Sequence, residues 1–381
     1  MYLELSEEQR LLQQTVREFA EAEIKPLAKD LDETGRFPRE IFQKAAKLGL
    51  AGIALPENDG GAGMDHVCYA IAIEEISRAC ASTGAILSVQ NSLYCDPIHR
   101  FGTPEQKKKL LAPFARGERI GCYALTEPQA GSNAAALATK ALRKGGRYIV
   151  NGTKAWITNG GVADAALVYT STQPEKGEKG ITALVVEKGT PGFTSGKEEK
   201  KLGVHATACT ELAFTDCEVP EENRIGNEGE GYKIALSTLD GGRVGIASQA
   251  TGIAQGAFDA ALSYAQQRQA FGQPIAGFQA IQFMLADMAT EIDAARLLVR
   301  RAAWKQDSGA RFTLEASIAK LFASEMATRV AHSAIQIHGG YGYSREYPVE
   351  RAYRDARITE IYEGTSEIQR LIIARLILKN S

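Results

Sequence analysis

The chain has 381 residues, 44 of them basic and 46 acidic, for a formal net charge of −2 at pH 7. That length points to roughly two or three domains of ~100–150 residues, and the balanced charge argues against nucleic acid or a membrane surface as the main partner. No apolar run reaches the ~18 residues of a membrane span; six cysteines without a CxxC pair and five scattered histidines lead us to expect reduced thiols and no metal site.

The first residues, Met1 to Glu8, are acidic where a signal peptide needs a basic start, so a cytoplasmic location is expected. Ser6-Glu7-Glu8-Gln9 has the spacing of a capping box, preceded by apolar Leu3 and Leu5. Leu11, Val16, Phe19, Ile24 and Leu27 follow at roughly helical intervals. Gly60-Gly61-Ala62-Gly63 lacks the preceding strand and third glycine of a dinucleotide loop and reads as a plain turn. Residues 67–80 and 83–99 are apolar and nearly free of breakers, and Thr103-Pro104-Glu105-Gln106 opens another helix. Residues 1–120 are therefore expected to form a helical domain.

From residue 121 the texture changes. Tyr148 to Ile157 reads as two β-prone runs around Asn151-Gly152, a hairpin signal. Residues 166–170, 181–187 and 211–214 supply further strands, so 121–225 reads as a small β domain, a barrel or sandwich. After the glycine-rich 226–231, Ile281, Met284, Leu285, Met288, Ile292, Ala295, Leu298 and Val299 mark a long amphipathic helix. Residues 312–337 and 366–378 predict two more, making 226–381 a helical bundle.

Two stretches carry candidate chemistry. In Arg357 to Ile368, Glu363 lies between Tyr362 and Gly364, just before Thr365 or Ser366 could cap the last helix. A glycine beside a turn carboxylate leaves room for a ligand, and partial desolvation would raise its pKa toward that of a general base. Taken alone, a solvated loop glutamate is the ordinary reading. Tyr123 to Ser132 starts as a strand and ends in a small-residue turn, and Trp156-Ile157-Thr158 repeats its aromatic-then-threonine pattern. Such a wall can cover a flat cofactor and donate to its heteroatoms.

These stretches, together with Asn151 to Gly160, Arg268 through Phe271-Gly272 to Phe278-Gln279, and Gln336 to Gly342, resemble the acyl-CoA dehydrogenase family of flavoproteins over essentially the whole chain. Within it they resemble the short-chain (butyryl-CoA) branch. The resemblance implies a mainly α fold with a central β domain: an N-terminal helical domain, a β-barrel or sandwich, and a C-terminal four-helix bundle, assembled as a homotetramer. It implies FAD, with Leu125, Thr126 and Ser132 along the isoalloxazine and pantetheine, Trp156 shielding the ring and Thr158 near flavin N5. Arg268, Phe271, Gln279, Gln336 and Gly340 would reach a neighbouring subunit's FAD, while Thr365 and Glu367 would complete the local pocket. Substrate would meet Ser132, Asp240 and Arg243, the last two at the start of a long helix, and Tyr362 and Gly364. Glu363 would be the catalytic base, taking the α proton of an acyl-CoA as the β hydrogen leaves as hydride. Electrons would pass to an electron-transfer flavoprotein.

Two departures stand out: Asn133 where the family commonly has Asp, and Gly242 where isovaleryl-type relatives place their base. The expected substrate is a C4–C6 acyl-CoA, with small branched or cyclic acyl groups as rivals. Ile86, Leu87, Val89 and Leu93 are expected to close the pocket, and Gly84 replaces the arginine of glutaryl-oxidising relatives. An oxygen-using oxidase of the same superfamily and a non-catalytic FAD- or acyl-CoA-binding assembly protein are the competing readings.

Overall fold

The structure, a computed structural model, describes residues 4–379; Leu3, expected ahead of the first cap, lies outside them. Ser6 caps α1 (Glu7–Phe19) reciprocally, its hydroxyl accepting from the Gln9 N–H while the Gln9 side chain accepts from the Ser6 N–H. Short α2 (Ala28–Thr34) and α3 (Arg39–Lys47) lead to α4 (His66–Ala79), which buries residues on every side. α4 packs between α1 and the C-terminal helices, and its buried Glu75 and Glu74 are paired with Arg17 of α1 and Arg296 on the C-terminal side. α5 (Ala81–Ser88) runs through a π-helical segment, Val89–Cys95, into α6 (Asp96–Phe101). Thr103 and Gln106 form a second capping box at α7 (Pro104–Gln106), and α8 (Ala112–Ala115) completes this region.

An eight-stranded sheet follows, in the order β6 (Phe193–Glu198), β7 (Thr210–Pro220), β3 (Arg147–Ile157), β2 (Lys140–Lys144), β4 (Ala165–Ser171), β5 (Ile181–Glu187) and β8 (Arg224–Ile225). β1 (Gly121–Ala124) pairs parallel with β4. Every residue of β4 is buried. Ala166 and Val168 point into the sheet's own core with Tyr148, Val150, Leu184 and Phe214. Ala165, Leu167 and Tyr169 face the helices, against Tyr94, Ile98, Leu111 and Phe114. Since successive side chains alternate faces, a strand covered on both sides loses its polar positions, and Ala165 to Tyr169 of β4 read as a continuous apolar run.

The expected hairpin at Asn151-Gly152 is not formed. β3 runs straight through it, and the tight turn is at Gly145-Gly146, joining β2 and β3. A β-bulge occupies the Asn151-Gly152 position, with the β3–β7 register shifting between Val150 and Gly152. Asn151 braces it, its side chain accepting from the Asp216 N–H at 2.8 Å. Gly152 has φ +148°, and a Cβ there would lie 2.6 Å from Thr139 Cα. Gly152 is thus required by close approach and not by a turn.

The C-terminal region opens with α9 (Gly231–Gln267), a 37-residue helix. A small ribbon, β9 (Gln269–Ala270) and β10 (Gln273–Pro274), joins it to α10 (Gln279–Asp307). α11 (Thr313–His338), α12 (Pro348–Ile358) and α13 (Ser366–Lys379) complete the bundle. Its core is alanine-rich, with Ala250, Ala254, Ala257 and Ala261 of α9 meeting Ala319, Ala323, Ala327 and Ala331 of α11. Arg354 of α12 clamps Asp32 of α2 at 2.6 and 3.0 Å, tying the two helical regions together.

One charged pair lies wholly inside. Lys154 donates to Glu127 at 2.7 Å and to the Leu125 carbonyl at 3.1 Å, and both side chains are fully covered. Glu127 also accepts from the Ala138 and Thr139 N–H groups. Removing one partner strands the other charge. Lys154→Met is expected to destabilise the protein by about 3–5 kcal/mol, measured by urea unfolding, whereas exposed Lys25→Met should cost within about 1 kcal/mol.

Candidate active site

Glu363 sits on the turn between α12 and α13. Its φ is +53°, followed by Gly364 at +96°. A left-handed backbone at a non-glycine residue costs on the order of 1–2 kcal/mol, so the turn is held from several sides. The Ser366 N–H donates to the Glu360 carbonyl at 3.0 Å. The Gly364 carbonyl accepts from Lys320 Nζ at 2.7 Å and Gln369 Nε2 at 2.9 Å. The Tyr362 hydroxyl donates to Gln249 Oε1, and Thr365 caps α13 through the Ile368 N–H.

The carboxyl group itself is poorly satisfied. Oε2 of Glu363 is buried with no hydrogen-bond partner among the described residues. It rests on the backbone of α9 at Gly242, where an added Cβ would overlap Oε2 and come within 2.9 Å of Leu93. Burial pushes Glu363 up to about 7, against the pull of Lys320 and Arg243. Arg243 is itself neutralised by Asp240 at 2.5 Å, and Asp240 accepts from Thr313 at 2.7 Å. Asp240 to Arg243 lie well inside α9 and not at its start, because the helix begins at Gly231. Gly242 leaves the groove there that the Glu363 turn enters.

Glu363 opens on a cavity of about 1630 Å³ between the sheet, the π-helical segment, α9 and α13. Leu125, Thr126, Ser132, Trp156 and Thr158 line its sheet side, and Asp240, Arg243, Tyr362, Gly364 and Thr365 line the helical side. Trp156 is 60% exposed and has φ +61°, so the backbone itself turns the indole outward. The hydroxyls of Thr126, Ser132 and Thr158 have no hydrogen-bond partner among the described residues. On the α5 side, Ala85, Val89 and Leu93 form the wall. Ile86 and Leu87, expected there, point instead into the N-terminal core with Tyr69 and Ile73. Four-residue helical spacing selects 85, 89 and 93, and Ile86 and Leu87 face away. Gly84 faces Ser77 of α4.

The remaining predicted residues lie elsewhere. Arg268, Phe271, Gln279, Gln336 and Gly340 are all exposed and none lines the cavity. Arg268 lies over the Tyr341 ring at 5.5 Å. Phe271, at the tip of the β9–β10 ribbon, is 97% exposed with φ +51°. Glu367 is exposed in the first turn of α13, outside the cavity.

Sequence reading passed over Lys320, Gln369 and the Lys154–Glu127 pair. Lys320 was detectable: it falls on a stripe with Ala316, Ala323 and Ala327, all buried, where a solvated lysine does not belong. Gln369 and Glu127 carry no comparable signal, since each is defined by partners distant in the chain or by backbone groups.

Comparison with known proteins matches three family models in succession: the acyl-CoA dehydrogenase N-terminal domain over residues 6–118, the middle domain over 122–217 and the C-terminal domain over 229–378. The mitochondrial short-chain specific acyl-CoA dehydrogenase of Mus musculus is 53% identical over 99% of this chain and 92% of its own. The butyryl-CoA dehydrogenase of Megasphaera elsdenii superposes with a TM-score of 0.97 at 45% identity, over 99% of this chain and 100% of the other. A chain solved in work on the electron transferring flavoprotein of Acidaminococcus fermentans gives a TM-score of 0.98 at 47% identity, over 100% of both chains. With all three models matched in order and identity sustained over the full length, this chain belongs to the acyl-CoA dehydrogenase family.

Proposed function

We propose that the protein catalyses FAD-dependent dehydrogenation of short-chain acyl-CoA thioesters to trans-2-enoyl-CoA, with Glu363 as the base. The observation that carries this reading is the Glu363 turn, a desolvated carboxyl of pKa about 7 opening on the cavity. A group poised near neutrality can both take and release a proton at working pH. The Glu363 N–H has no partner among the described residues, so it is free to donate to a thioester oxygen. That donation stabilises the charge developing as the α carbon loses its proton. Substrate would displace water around Glu363 and raise its basicity further.

The cavity fits a flavin: an outward-turned indole, an apolar Leu125 and three hydroxyls without partners suit a flat ring with polar edges. FAD, when bound, supplies the hydride acceptor. Leu125, Thr126, Trp156, Thr158 and Thr365 would hold its ring, with Glu367 nearby, and Ser132, Asp240, Arg243, Tyr362 and Gly364 would border the acyl-CoA. The separate exposed group of Arg268, Phe271, Gln279, Gln336 and Gly340 would serve the FAD of a second copy, in a homotetramer. We take 1–120, 121–225 and 226–381 as the domains. An electron-transfer flavoprotein would accept the electrons, a reading supported by the likeness to the Acidaminococcus fermentans chain. Six free, buried cysteines suit a reducing compartment such as the cytoplasm.

Glu363→Gln keeps the side-chain shape and removes the base. FAD and acyl-CoA binding should persist while anaerobic flavin reduction falls by about 10²–10⁴-fold or more; near-normal reduction would place the base elsewhere.

Acyl preference follows from the wall of Ala85, Val89 and Leu93, which carries no charge to meet an ω-carboxylate. Each added methylene gains only ~0.8 kcal/mol until it meets the pocket floor. In a kcat/KM series of increasing chain length, the maximum should fall on a short acyl-CoA of butyryl type, and glutaryl-CoA should be turned over poorly. A maximum on octanoyl-CoA or longer contradicts the short-chain assignment.

Arg268→Ala should lower FAD occupancy far more than it slows reduction of the FAD that remains. A monomer holding FAD at full occupancy would contradict the shared site.

A further inference from the structure

We propose that Lys320 is a positioning residue for Glu363, its buried ammonium supplying the fixed positive charge against which the base ionises. The proposal rests on the reading of Glu363 as base. Two fully buried lysines invite comparison. Lys154 is matched by a carboxylate at 2.7 Å. Lys320 is equally covered, yet its hydrogen bond goes to a neutral acceptor, the Gly364 carbonyl, and it has no ion-pair partner within 4.0 Å among the described residues. A buried cation without a paired anion is costly, and one kept there must act on a charge at longer range. Three carboxyl groups surround it: Glu363, Glu360 and Glu367. Glu360 already accepts from Thr328 and Arg357, and Glu367 is exposed. Glu363 is the one left with a buried, unpartnered oxygen.

Stapling the turn does not by itself require a charge. Gln369 donates to the same Gly364 carbonyl from α13. The other groups facing Glu363 are Arg243 from α9, Tyr123 from β1, Tyr69 from α4 and its neighbour Tyr362. Arg243 is balanced by Asp240, and burial holds the three phenols protonated well above neutral pH. Lys320 is thus the cation near Glu363 that no ion pair offsets. Burial lowers Lys320 itself to about 8, against the pull of Glu363.

The sign of the effect follows. A cation favours the ionised carboxylate, so removing it raises the pKa of Glu363 and moves the acid limb of the rate profile to higher pH. Lys320→Met is expected to shift that limb upward by about one pH unit, read on the holoenzyme as anaerobic flavin reduction by butyryl-CoA. Infrared difference titration of the holoenzyme gives a second readout, through the carboxyl band that disappears in Glu363→Gln. Gln369→Leu removes the neutral donor to the same carbonyl and should leave the midpoint of that band in place. If Lys320→Met does not retain FAD, Lys320→Gln, which keeps a donor without the charge, takes the same test. An unmoved midpoint in the lysine variant, or an equal shift in Gln369→Leu, overturns the proposal. Undiminished flavin reduction in Glu363→Gln would instead overturn the assignment of the base.

Discussion

The burial of Glu363 Oε2 against the backbone of α9 is the arrangement that the surrounding architecture has to sustain. Left to itself, a carboxylate would rotate into water, and a left-handed turn would relax. The turn is held through its backbone and Tyr362 by Lys320 from α11, Gln369 from α13 and Gln249 from α9, while the carboxyl group itself is packed at Gly242 of α9, beside Leu93 of the π-helical segment. None of these is strong alone. Two of the four elements, α9 and α11, are joined by the alanine-rich packing of the bundle, and small side chains let these helix axes approach closely.

The opposite wall of the cavity is fixed by different physics. Trp156 and Thr158 lie at the end of β3, whose bulge and left-handed residues set the direction of each side chain. Leu125 and Thr126 follow β1, and their loop is tied from beneath by the buried Lys154–Glu127 pair. That pair holds three backbone groups on two segments, so its desolvation cost is partly offset by the hydrogen bonds it completes. A flat, apolar, hydroxyl-edged wall on one side and a single unsatisfied carboxyl on the other define the chemistry the cavity can support.

Much of this was legible in the sequence, for identifiable reasons. The capping boxes at Ser6 and Thr103 were readable because they are local, with both partners within three residues. The strands β4 and β5 were found as apolar runs, and Glu363 stood out between an aromatic and a glycine. The Asn151-Gly152 signal was real but ambiguous, since a left-handed or otherwise unusual backbone serves a bulge as well as a hairpin. The placing of Ile86 and Leu87 on the cavity wall failed because a run of uniformly apolar residues carries no phase. When both faces of α5 are buried, the sequence does not say which face meets the ligand. Gln369 was invisible because its partners are backbone groups, and Glu127 because its partner Lys154 lies 27 residues away and its other main donors are backbone groups.

α9 has a consequence for how such a chain can change over time. Its 37 residues form a rod about 55 Å long, packed at its start on β5 and further along on α4, α5, α10, α11 and α12. A single residue inserted before Gly242 would turn everything upstream by about 100° relative to everything downstream. Either Gly242 would rotate away from the Glu363 turn, or the start of the rod would lose its seat on the sheet. An insertion within α9 is therefore costly, and the helix behaves as a ruler whose divisions tolerate substitution better than a change of length. Descendants of this chain can alter what lines the cavity while inheriting, unaltered, the count of residues that places it.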